Sequence, residues 1–147
     1  MDEIEFNDDN VEIHVEASNW EDAIRKSIFL LEKNGHVNKN YVESVIQNIK
    51  EYGPYIVIYP GLAIPHTRPE NGAIKIGYSL ITLKNPVYFP NSNTPVNVLI
   101  SFSATDSDTH LELIKMIVNI VNSDLIDEIS KVCSIDELNQ LLSKNVK

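Results

Sequence analysis

Residues 59–72 read YPGLAIPHTRPENG, and the three prolines Pro60, Pro65 and Pro69 fall within ten positions of one another. Each proline fixes its own φ and disfavours α geometry in the residue before it, so no regular helix can pass through this stretch. The expectation is a stiff loop, with His66 held between Pro65 and the run Thr67-Arg68-Pro69. Either the rigid frame presents the imidazole for chemistry, or Pro65-His66 ends a strand with the ring bonded to a nearby carbonyl.

The rest of the chain limits what such a loop can belong to. With 147 residues and 43% hydrophobic content, one globular domain over residues 1–147 can bury roughly 70% of its unfolded surface. The 12 basic and 21 acidic side chains give a net charge of −9, a field that opposes nucleic acid and anionic membrane surfaces. Any anionic ligand must then be met by local cations or backbone N–H groups. Cys133 is the single cysteine, so no intramolecular disulfide can form. The start MDEIEFNDDN is acidic rather than basic and apolar, and no apolar run approaches the ~18 residues of a membrane span. A cytoplasmic protein without membrane insertion is expected.

Periodicity supplies the elements. Residues 1–10 are expected to form a flexible acidic arm leading into a strand at 11–15. Ser18 with Glu21 reads as a capping box for a first helix whose apolar stripe is Trp20, Ala23, Ile24, Ile28 and Leu31, stopped at Gly35. A second helix is expected over 39–52, with Tyr41, Val42, Val45, Ile46 and Ile49 inward and Gly53-Pro54 ending it. The β-branched and aromatic run 55–59 suits a strand covered on both faces or a short core segment. Further strands are expected at 74–83, at 87–89 on an edge, and at 96–102 in the centre. SATDSDTH then opens an apolar helix over 111–121, with Thr109 and Glu112 as its capping box and His110 in or beside its first turn. Two short helices follow, 124–131 and one capped by Ser134 that runs to about 142. The sum is an α/β sandwich, a mixed sheet flanked by helices, because some strand connections are too short for parallel crossovers.

Of the four histidines, His14 and His36 belong to no motif and read as ordinary surface or half-buried rings. His66 and His110 differ. A helix N-terminus favours anions, so His110 placed there, with His66 and the planar fork of Arg68, would assemble the parts for taking up and releasing a phosphoryl group. Histidine suits such a relay because a fraction of it is neutral and nucleophilic near neutral pH. The alternative for His110 is a solvated helix-start residue, and Arg68 taken singly is an ordinary surface charge. No HExxH, HxH or CxxC spacing supports a metal, no Walker loop or dinucleotide fingerprint appears, and no cofactor is implied. Cys133 lies in or at the end of an expected helix without a phosphate-binding loop, so it does not read as a catalytic thiol.

The run GPYIVIYPGLAIPHTRPENGAIKIGYSLITLKNPVYF, followed by DSDTHLELI, resembles the enzyme IIA component of the phosphoenolpyruvate-dependent sugar phosphotransferase system, mannitol/fructose structural class, and within it the ascorbate-type branch. The resemblance runs from the first helix to the last. It implies a phosphohistidine relay: His66 takes phosphate from HPr on Nε2 and passes it to a cysteine of enzyme IIB, which serves the membrane enzyme IIC. By the same resemblance His110 is the second active-site histidine and Arg68 neutralises phosphate oxygens. A second function keeps His66 as acceptor but makes the domain a regulator of a partner protein without transport. Two departures stand out: the family offers no role for the acidic, extended N-terminus up to about Asn10, and Tyr59 stands where smaller residues are common.

Overall fold

A computed structural model of the protein describes residues 6–122 and 124–145. Its centre is a five-stranded mixed sheet in the order β1-β4-β5-β3-β2, built from β1 (Val11–Val15), β2 (Val57–Tyr59), β3 (Gly61–Ala63), β4 (Gly77–Val87) and β5 (Val96–Ser103). Strand β4 pairs parallel with β1 and antiparallel with β5, while β3 pairs parallel with β5 and antiparallel with β2. The expected α/β sandwich is the observed fold.

Alternation along the strands divides the core into two layers. Helices α1 (Trp20–Lys33) and α2 (Lys39–Tyr52) cover one face, where Ile24, Ile28, Tyr41 and Ile49 meet Ile81 and Leu99. On the other face lie α3 (Ser107–Asn122), α4 (Ile126–Lys131) and α5 (Ile135–Asn145), where Leu113, Ile117 and Ile129 meet Leu80, Val98 and Ile100. Both stripes expected of α1 and α2 are inward, Trp20 being the partly buried member. Gly35 and Gly53 follow those helices with φ of 79° and 91°, the left-handed geometry that a helix stop needs.

Several boundaries differ from expectation, each for a local reason. The cap of α1 is Asn19, whose side chain accepts from the Asp22 N–H, while Asp22 accepts from Ser18 N–H; the box sits one residue later than Ser18 and Glu21. Asp106, not the expected Thr109, performs the same service for α3, accepting from Thr109 N–H at 2.8 Å, so the helix begins at Ser107 and not at Leu111. Ser134 caps α5 as expected, and Glu137 reciprocates to Cys133 N–H. Helix α4 starts at Ile126 because Asp124 has φ of 58°.

The run 55–59 is not a doubly covered strand. Only Val57–Tyr59 is extended, it lies at the sheet edge, and Ile58 is exposed. Nor is 59–72 loop throughout, since Gly61 turns the chain at φ 91° into β3. Of the expected edge strand at 87–89 only Val87 is extended, as the end of β4, which runs through Pro86 where β1 no longer pairs with it; Tyr88 and Phe89 lie beyond the strand. Cys133 is an exposed residue of the connector between α4 and α5, outside both helices.

The acidic N-terminal segment departs most from expectation. Residues 1–5 lie outside the described residues, but 6–10 are anchored and not a free arm. Phe6 is buried and meets the Tyr78 ring edge-on at 5.8 Å, Asn139 donates to its carbonyl, and Asn34 donates to the carbonyl of Asp9. One aromatic anchor outweighs the polar composition around it.

Candidate functional site

His66 and His110 meet because β3 and β5 are parallel neighbours. Beyond Ala63 the chain stays beside β5, with Phe102 N–H donating to the Pro65 carbonyl, so His66 emerges at the carboxyl end of both strands. Three residues, 104–106, separate β5 from α3, which delivers His110 to the same end. The ring centroids of the two histidines are 5.7 Å apart, edge to face. Sheets with helices on both faces gather ligand sites at strand carboxyl ends for this reason.

The His66 ring is held on three sides. It stacks on Phe102 at 4.9 Å with the planes 19° apart, Tyr55 meets it edge-on at 5.6 Å, and His110 closes the third side. Its Nδ1 lies 2.6 Å from the Ile64 carbonyl oxygen, a partner that can only accept. The proton therefore resides on Nδ1, and Nε2 keeps its lone pair. Burial pushes the His66 pKa below its ordinary value, the Ile64 carbonyl opposes that shift, and the nearby His110 adds to it. A neutral, nucleophilic imidazole results.

Beneath the ring, Thr67 is the buried post of the loop. Its hydroxyl accepts from the amides of Asn48 (3.2 Å) and Asn71 (3.1 Å) and shares a hydrogen bond with Ser44. Tyr41 donates to the Phe102 carbonyl at 2.7 Å and accepts from Thr67 N–H, which ties α2 to the loop and to β5 together. Burial pushes the Tyr41 phenol well up, so it stays a neutral donor. Tyr55 donates its hydroxyl to the His66 carbonyl. No sequence motif marks these supporting residues as part of the site. A weaker signal exists: Tyr41, Ser44 and Asn48 are spaced three and four apart along α2, a polar line beside an apolar stripe.

The two histidines open into a cleft of about 910 Å³ whose wall also includes Tyr52, Arg68, Asp106 and Leu111. Arg68 is exposed there and forms no ion pair among the described residues. His110 lies in the first turn of α3, but its own N–H already donates to the Asp106 carbonyl. Of the expected free N–H groups at that helix start, Thr109 N–H is taken by the Asp106 carboxylate. Among the described residues no group of three or more His, Cys, Asp and Glu side chains could hold a metal ion, and no helix is long and apolar enough to cross a membrane. His14 and His36 lie away from the cleft. The His14 N–H donates to Thr82 at a bulge of β1, and the half-buried His36 ring packs against Gly77.

The sequence and the fold are both shared with known proteins. Residues 5–145 match the family described as "Phosphoenolpyruvate-dependent sugar phosphotransferase system, EIIA 2". The ascorbate-specific PTS system EIIA component of Escherichia coli K12 is 39% identical over 117 residues, 78% of this chain and 76% of that protein. The solution structure of the mannitol-specific cryptic phosphotransferase enzyme IIA CmtB from Escherichia coli superimposes with a TM-score of 0.85 at 31% identity, covering 95% of each chain. The same fold recurs in the Escherichia coli complex of enzyme IIAMTL with phosphorylated enzyme IIBMTL, with a TM-score of 0.82 at 22% identity over 95% of this chain and 98% of that one. The chain belongs to the EIIA 2 family of the phosphoenolpyruvate-dependent sugar phosphotransferase system.

Proposed function

We propose that this protein is a phosphocarrier in which His66 accepts a phosphoryl group from HPr and passes it to a cysteine of enzyme IIB, for uptake of a sugar acid of the ascorbate type. The observation that carries the reading is the Nδ1 contact with the Ile64 carbonyl, which leaves Nε2 as the free ring nitrogen of a histidine that lines the cleft. In the first transfer the Nε2 lone pair attacks phosphorus, an N–P bond forms, and the donor imidazole of HPr leaves with the electron pair of its broken N–P bond. In the second, an enzyme IIB thiolate attacks the same phosphorus, an S–P bond forms, and the pair returns to Nε2. The Nδ1 proton stays in place through both steps.

His110 and Arg68 are assigned to the phosphoryl oxygens. Arg68 is suited to this because no carboxylate among the described residues occupies its guanidinium, which offers a planar fork of donors. The Arg68 charge and local donors act against the field of a net charge of −9. Ascorbate rests on the names of the curated relatives, and those relatives are transport-system components, which favours transport over a purely regulatory role. The test is incubation with phosphoenolpyruvate, enzyme I and HPr, followed by intact-mass measurement. Wild type should gain one phosphoryl group and His66→Ala none. Phosphorylation of His66→Ala at the wild-type rate would overturn the assignment.

A further inference from the structure

A phosphoryl relay needs an acceptor that holds its group without keeping it. The start of α3 is the place in the cleft where the group could be held too well, because a helix N-terminus offers unpaired N–H donors and a positive dipole end. In this protein Asp106 already occupies that position. Its Oδ1 accepts from Thr109 N–H at 2.8 Å, its Oδ2 accepts from Thr109 Oγ1 at 3.1 Å, and its carbonyl accepts from His110 N–H. The backbone and side-chain donors of Thr109 hold the carboxyl below the usual carboxylate range, so it is ionised at neutral pH. Asp106 also lines the cleft that contains His66, His110 and Arg68. A carboxylate on the wall of an anion-accepting cleft opposes the task the rest of the cleft performs.

Resting on the assignment of His66 as phosphoacceptor, we infer that Asp106 is a positioning residue that keeps the phosphoryl group exchangeable: its carboxylate takes the Thr109 donors at the start of α3 and sets a negative charge on the wall of the cleft that holds the phosphorylated ring. Arg68 and His110 draw the group in, and Asp106 keeps the complex from becoming a trap. Its effect falls on the free energy of the phosphorylated state and not on the nucleophile. The substitution Asp106→Asn keeps an equivalent helix cap without the charge, whereas Asp106→Gly is a tolerated cap that frees the donors as well.

The experiment measures the equilibrium distribution of phosphoryl groups between HPr and this protein, at low and high ionic strength, for wild type, Asp106→Asn and Asp106→Gly. The expected result for Asp106→Asn is a shift of about 2- to 5-fold toward the phosphorylated form of this protein, with Asp106→Gly shifted further. Because an exposed charge is screened by salt, the gap between wild type and Asp106→Asn should narrow at high ionic strength. A merely structural cap would give Asp106→Asn the wild-type equilibrium at every salt concentration. That result, or a shift toward HPr, overturns the inference while leaving His66 phosphorylated. Absence of phosphorylation on wild type overturns the His66 assignment itself, and this inference with it.

Discussion

The two histidines of the cleft are held in opposite ways. His66 sits on a loop in which nearly every backbone group has a partner: Ile64 N–H donates to Ile56, Thr67 N–H donates to Tyr41, and the His66 carbonyl accepts from Tyr55. His110 is placed by a regular helix alone, and its ring is fixed by contact with His66 and Phe102. The loop, normally the adaptable part of a fold, is here the more constrained of the two. The helix contributes position, and the loop contributes tautomer and angle. In the proposed relay His66 meets two protein partners in turn and needs its reacting atom fixed beforehand, since a misplacement of about 1 Å costs ~100-fold in rate. A group that only steadies phosphoryl oxygens tolerates more freedom.

The contrast can be broken hardest at Thr67. In Thr67→Val the amides of Asn48 and Asn71 lose their shared acceptor, and each unsatisfied donor costs about 1–3 kcal/mol where water cannot replace the bond. These amides lie at the cleft, so the expected loss of stability is about 2 kcal/mol, with phosphorylation of His66 slowed about 10- to 100-fold. Urea unfolding and the rate of phosphoryl uptake from HPr measure the two effects. A stable but slow variant would show that the hub serves position above stability, and a variant with wild-type rate would remove Thr67 from the frame.

A smaller effect is expected on the helix side. His110→Ala leaves Nδ1 of His66 on the Ile64 carbonyl, so phosphorylation should persist at a rate reduced about 10-fold. The yield at long times distinguishes loss of oxygen stabilisation from loss of the nucleophile. If His110→Ala matches wild type in rate, that histidine is a helix-start residue with no part in transfer. Tyr55→Phe should be milder again, about 2- to 5-fold, because it removes one hydrogen bond to the loop and keeps the ring contact.

Legibility in the sequence follows the range of the forces involved. Helices α1 and α2 are readable because a stripe of period 3.6 with a glycine stop is local information. So are β1 and β5, and the loop histidine, whose prolines constrain φ without reference to the rest of the chain. The burial of Phe6 is not, since its partner Tyr78 lies more than seventy positions away. Strand β2 misleads because the β-branched run 55–59 reports β propensity and says nothing of whether a helix or water lies above it. The cap of α3 reads as Thr109 because Glu112 follows it three residues on, and Asp106 wins only through its actual geometry. The polar face of α2 is hidden by its apolar neighbours, and its meaning depends on Thr67, which folding brings to it from 19 positions beyond Asn48.

The finest probe of the loop-against-helix comparison is pH. Because burial depresses the folded-state pKa of His66 below the ordinary 6.5, the unfolded chain takes up a proton there before the folded protein does. Stability then rises with pH through the interval between the depressed value and 6.5, and falls as pH drops through it. His36 is depressed for the same leading reason, its burial, and its buried Nδ1 has no hydrogen-bond partner among the described residues, so it contributes in the same direction. The His66 share is isolated by comparing wild type with His66→Gln in urea unfolding between about pH 7.5 and 5. Wild type should lose more stability than His66→Gln as pH falls below 6.5. Parallel curves would mean that the imidazole is no less easily protonated in the folded loop than in the unfolded chain, and the stacked, carbonyl-bonded ring would then fix the angle of Nε2 without biasing its charge.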